Sequence, residues 1–124
     1  MIKISSHFAR LCPDFLAGTI KQFAKGQIMI EIIVYNIKED QLDSFNVLKP
    51  QLIKEAMTIP GIISSKTHVS ESNKWQFVDV MEWESNEAMK DGFEAFKILP
   101  STKDFMALMT GPPVFAGKFK GEDV

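Results

Sequence analysis

Several features that would decide a protein's chemistry are scarce here. There is one cysteine, Cys12, in 124 residues. It makes no internal disulfide and no multi-cysteine metal site. There is no Cys-x-x-Cys, no Gly-x-Ser-x-Gly and no glycine-rich phosphate loop, so covalent serine or cysteine chemistry and nucleotide binding have no support. The histidines are two, His7 and His68. No run of about 18 apolar residues occurs, which excludes a membrane-spanning helix. An excess of one charge is lacking as well. With 14 basic and 16 acidic residues the net charge is −2, without the broad basic field of a nucleic-acid binder. The expectation is a soluble, cytoplasmic protein of a reducing compartment, with neither nucleic acid nor membrane as partner.

What is present is apolar bulk. Hydrophobic residues make up 45% of the chain, with ten phenylalanines and seven methionines. The length suits one domain. Phe and Met build an ordinary core, and they also line soft, adaptable apolar pockets.

Residues 1–27 read as an N-terminal helical extension. Phe15, Leu16, Ile20 and Phe23 form a stripe, Pro13 suits a first helical position and Gly26 a stop, which predicts a helix at about 13–25. His7, Arg10 and Asp14 interrupt the apolar run, unlike a signal peptide. An extra helix packed on the domain or on a partner subunit is expected, a membrane-surface helix being the alternative.

Residues 28–120 read as one α+β domain, followed by a loose tail at 121–124. The segment 28–38 is β-branched and apolar on both parities, with only Glu31 breaking the set Met29, Ile33, Tyr35, Ile37. A helix is predicted over 41–58, capped by Asp40 and kinked or split by Pro50. Pro60-Gly61 turns the chain into a hairpin of strands 62–70 and 75–84. Ser85 caps a helix at 86–98 with Met89, Phe93 and Phe96 on one stripe. After Pro100, Ser101 opens a second piece with Asp104 as capping-box partner, and 114–120 is the last strand.

That order is the ferredoxin-like split β-α-β arrangement, a four-stranded antiparallel sheet with helices on one face. The other face should then show polar residues at period two. Strands 28–38 and 75–84 do not show them. A homodimer with sheets packed face to face resolves this; the rival solution covers the face with the N-terminal helix.

The ordered residues Ile32–Lys38, Pro60-Gly61, Ser64, His68, Glu82-Trp83-Glu84, Gly92-Phe93, Phe105 and Gly111 resemble the antibiotic biosynthesis monooxygenase (ABM) family of dimeric α+β barrels. The resemblance covers about residues 28–120 and leaves 1–27 outside. It implies a pocket between sheet and helices in each subunit. The family includes enzymes that oxidise phenols with dioxygen and neither metal nor flavin, quinol monooxygenases and haem-degrading enzymes. The iron-ligating pattern of the haem-degrading branch falls here on Gly92 and Thr102, which cannot serve it, and a histidine common on the following helix is replaced by Met89. The resemblance therefore implies no cofactor, neither haem nor flavin, and no metal.

Candidate catalytic residues are His68, Trp83 and Tyr35. His68 has a pKa suited to abstracting a phenolic proton. Trp83 and Tyr35 can donate hydrogen bonds to a developing oxyanion. Asn36, Met89, Phe93 and Phe96 are candidate pocket residues, although Tyr35 and Asn36 point to opposite faces of their strand. Each also has a plain structural reading, as core packing for Trp83 and as a half-exposed strand residue for His68. Asp79 interrupts the apolar Trp75–Trp83 face and needs a partner, for which Lys66 or Lys118 is expected. Three functions fit: a cofactor-independent oxidoreductase for a small aromatic or quinol, a non-catalytic small-molecule or stress-response module, and a dimerisation module recruiting a partner.

Overall fold

The computed structural model describes residues 27–122. The expectations placed on 1–26, including the helix at 13–25, His7 and Cys12, lie outside the described residues. From residue 27 the elements run β1 (Met29–Asn36), α1 (Leu42–Ala56), β2 (Ile62–Val69), β3 (Gln76–Trp83), α2 (Asn86–Lys97), α3 (Thr102–Leu108) and β4 (Phe115–Lys120). The sheet order is β2-β3-β1-β4, every neighbouring pair antiparallel. This is the ferredoxin-like order expected from the sequence, in one chain an open sheet.

Period two sorts the strands into two faces. Glu31, Ile33 and Tyr35 of β1 sit opposite Met81, Asp79 and Phe77 of β3. These side chains point toward the helices and hold much of the core with Phe45, Leu52, Phe105 and Met109. Ile30, Ile32, Val34, Val78 and Val80 take the other face, joined by Phe115 and Phe119, whose rings stack 6.4 Å apart. None of the seven is buried by the described residues.

Local chemistry explains the helices, with two departures from expectation, at Asp40 and at Ser101. Asp40 is not the cap of α1; it falls in a 3-10 turn, Glu39–Gln41, that leads into the helix. Pro50 neither splits nor ends α1. It removes one hydrogen bond to the carbonyl of Asn46, and both residues are exposed, so that carbonyl is within reach of solvent. Ser85 caps α2 as expected, accepting from the Ala88 N–H at 3.0 Å. Ser101 precedes α3 without a capping box. Its N–H and hydroxyl instead donate to the two Glu55 oxygens at 2.9 and 2.7 Å, which ties α1 to the start of α3. These bonds hold the Glu55 carboxyl below its ordinary range.

Gly61 closes the turn before β2 at φ 90°. That conformation and the Ala88 side chain lying where a Cβ would stand both require glycine. Among the described residues, no helix is long and apolar enough to cross a membrane.

Candidate functional site

Between the sheet and the helices lies a cavity of about 190 Å³. A closed apolar cavity of about 150 Å³ holds a benzene ring, so this one takes one or two rings. Glu31, Ile33, Tyr35, Asp79, Met81 and Trp83 form its floor, and Gly92, Phe93 and Phe96 of α2 its roof. Phe105, Met106, Met109 and Pro113 complete the mouth side. Phe93 and Met106 are each 54% exposed and mark the opening. The roof comes down on the indole because residue 92 is glycine; a Cβ there would overlap the Trp83 ring.

Three ionisable groups line an otherwise apolar wall: Glu31, Tyr35 and Asp79. Asp79 is 8% exposed and fully engaged. Its Oδ1 accepts from the Tyr35 hydroxyl at 2.9 Å and from the Thr67 hydroxyl at 2.7 Å. Its Oδ2 accepts from the Lys49 ammonium at 2.6 Å. Lys49 arrives from α1, itself 8% exposed, and its Nζ lies 4.5 Å from the Phe105 ring centroid. Burial, and then the charge and hydrogen bond of Asp79, push the Tyr35 phenol far above its usual range, so it stays protonated.

Glu31 is different. Among the described residues its one hydrogen-bond donor is the Trp83 indole, 3.1 Å from Oε1. Burial pushes its carboxyl above the ordinary carboxylate range, against the Trp83 bond and the positive Lys118, with Asp79 adding to the rise. It is thus a proton acceptor of raised basicity facing an apolar chamber. Among the described residues, no group of three or more His, Cys, Asp or Glu side chains is placed to hold a metal ion.

No protein-family model matches the chain, and no curated protein matches it by sequence. Solved structures do match. A conserved protein from Methanosarcina mazei Go1 superposes with a TM-score of 0.68 at 14% identity, over 82% of this chain and 99% of that one. SnoaB, a cofactor-independent oxygenase from Streptomyces nogalater, gives 0.67 at 13%, over 80% and 97%. A Nitrosomonas europaea protein provisionally named an antibiotic biosynthesis monooxygenase gives 0.63 at 15%, over 77% and 91%. The chain shares the fold of these proteins.

On this shared fold the residues singled out in the sequence separate. Tyr35, Trp83, Phe93 and Phe96 line the cavity. Met89 is 1% exposed and packs in the core beside Trp83 without reaching the wall. Asn36 and His68 are on the opposite face of the sheet, opposite Gln76 and Val78. His68 is exposed and borders a shallow groove beside α1.

The cause of the His68 placement is a bulge between Ile62 and Ser64. Ile62 pairs with Trp83, yet Ser64 pairs with Glu82, so β2 slips by one residue. A regular ladder continued from Ile62 would have set His68 opposite Phe77 and Lys66 opposite Asp79, both toward the cavity. One residue of slip reverses every side chain after it. The partner of Asp79 is accordingly Lys49, neither Lys66 nor Lys118; Lys66 faces away opposite Val80, and Lys118 pairs across from Glu31.

Proposed function

We propose that the chain is a cofactor-independent, monooxygenase-like oxidoreductase acting on a small phenolic or quinol substrate in the cavity between sheet and helices. The observation that supports this most is Glu31: a carboxylate of raised basicity, held by Trp83, at the floor of an apolar chamber. Glu31 takes the substrate's hydroxyl proton, the role the sequence suggested for His68. The electron-rich anion then reduces dioxygen itself. A hydroquinone gives two electrons and two protons to dioxygen, leaving quinone and hydrogen peroxide. An activated ring CH₂ takes one oxygen atom as a carbonyl and releases the other as water. Tyr35 and Trp83 fix the polar end of the chamber, and Phe93 and Phe96 press on the ring plane. Burial of the reacting anion strengthens each of these contacts.

A homodimer belongs to this reading. The apolar outer face of Ile30, Ile32, Val34, Val78, Val80, Phe115 and Phe119 suits a second copy of the same sheet. A cytoplasmic location fits a chain with one cysteine.

A second reading, a non-catalytic binding module, rests on the donors. The Trp83 N–H and the Tyr35 hydroxyl are both held by protein carboxylates, so neither is free to hold an oxyanion. Oxygen uptake by the full chain with 1,4-naphthohydroquinone, in the presence of a chelator and without added flavin, separates the two. Uptake well above the buffer rate is expected. Uptake at the buffer rate sinks the oxidase reading for this substrate class and leaves the binding module.

A further inference from the structure

The hydrogen-bonding character of the cavity wall is one-sided. Its two side-chain donors are committed within the protein, the Tyr35 hydroxyl to Asp79 and the Trp83 indole to Glu31. Asp79 already accepts from three groups. Glu31 Oε2 has no donor among the described residues, and the side chain faces the chamber. The rest of the wall is aliphatic, aromatic or methionine, with Gly92 and Pro113. A ligand entering here therefore meets ring faces and, at a pH where Glu31 is ionised, one carboxylate acceptor whose Oε2 has no protein donor among the described residues.

We propose that the cavity is an acceptor-only site that selects neutral one- or two-ring aromatics bringing their own O–H or N–H donor, and that Glu31 sets this choice. An anionic aromatic places like charges together in a desolvated space. An aromatic with acceptors alone leaves Oε2 stripped of water and unmatched. A ligand with a hydroxyl satisfies Oε2 and buries its ring against Phe93, Phe96 and Phe105. The size limit follows from the volume, one or two rings and not four.

The inference deepens the proposed function, resting on it only in the location of the ligand. It gives turnover a direction. A quinol binds through its hydroxyl; once oxidised, the quinone has acceptors only and loses its match to Glu31. Substrate is retained and product released by the same oxygen atom.

Binding tests this without any turnover. The full chain is titrated calorimetrically at mildly alkaline pH with 2-naphthol, 2-methoxynaphthalene and 2-naphthoate. The three share a ring system and differ at one substituent: a donor, an acceptor, an anion. Naphthol is expected to bind at least about tenfold more tightly than the methoxy compound, the usual worth of one unmatched buried polar group. Naphthoate is expected to bind at least about 100-fold more weakly than naphthol. In Glu31→Gln, whose amide offers a donor as well as an acceptor, the naphthol-to-naphthoate ratio should fall by about tenfold or more. Equal affinities for the three in the wild type, a preference for naphthoate, or no binding of any of them would each overturn the proposal. So would a wild-type ranking that persists unchanged in Glu31→Gln. The wild-type ranking decides even if the variant does not fold. Naphthol binding without oxygen uptake from quinols would sink the oxidase reading and leave this inference standing; uptake without the ranking would do the reverse.

Discussion

Lys49→Met is expected to destabilise the fold by about 3–5 kcal/mol, the cost of leaving a buried carboxylate without its countercharge. The Lys49–Asp79 pair is 2.6 Å long, with side chains 9% and 11% exposed. At such burial the pair is no surface ion pair worth a few tenths of a kcal/mol. Asp79 also anchors the Tyr35 and Thr67 hydroxyls, so the carboxylate ties β1, β2 and β3 together. Removing both charges should cost much less. In Lys49→Met/Asp79→Asn, the asparagine oxygen still accepts from Tyr35 and Thr67, and no unpaired ion remains. Urea unfolding of the wild type, the single variant and the double variant checks this. The double variant should recover more than half of the loss. A single-variant loss below about 1 kcal/mol would show the pair to be solvated and no centre of the core.

Glu31→Gln is expected to lower the oxidation rate by about 100-fold or more, the usual range for losing a positioned general base. The pH dependence carries the more specific signature. Burial raises the Glu31 pKa, so the carboxylate is protonated, and useless as a base, over a window above the ordinary carboxylate range. The wild-type rate should climb with pH through that window and level off above it. The residual rate of Glu31→Gln should lack that limb. The sign for stability runs the other way. A group whose folded pKa is raised favours the fold while protonated, and that contribution is lost as pH rises through the folded value. Glu31→Gln should therefore be at least as stable as the wild type at neutral pH. A base kept in an apolar chamber costs the fold something, and the site accounts for its presence. Initial rates of oxygen uptake across pH, beside thermal melts, test both halves; the same limb in both proteins would remove Glu31 from the chemistry.

The sequence made the element order legible because the periodicities are strong. β1 is apolar on both parities, and the Ser85 cap and the Pro60-Gly61 turn mark their boundaries. The polar centre of the site was legible in part. Glu31 stood out as the one charge on the core parity of its strand, and Asp79 as the one charge on its own. Lys49 carried the same signal on a helix. Phe45, Lys49, Leu52 and Ala56 are the buried positions of α1, spaced four, three and four apart. A lysine in that register, with an aspartate in the matching place on a strand, marks a buried pair. The spacing alone does not decide it, because a helical lysine is usually solvated. The face of His68 was not legible at all, since it depends on a bulge that Ile62–Ser64 announces with no glycine or proline. Chemistry drew attention to the histidine; register placed it elsewhere. Pro50 does not split α1, because a proline on the exposed side of a helix costs one bond to a carbonyl that water can reach.

The most direct test is a crystal structure of the full chain with 2-naphthol. The account predicts the ring in the cavity between Phe96 and the sheet, with its oxygen at hydrogen-bonding distance from Glu31, about 2.6–3.0 Å, and the Trp83 indole still on the other carboxylate oxygen. A ligand seated in the groove beside His68, or on the outer face of the sheet with the cavity empty, would contradict it.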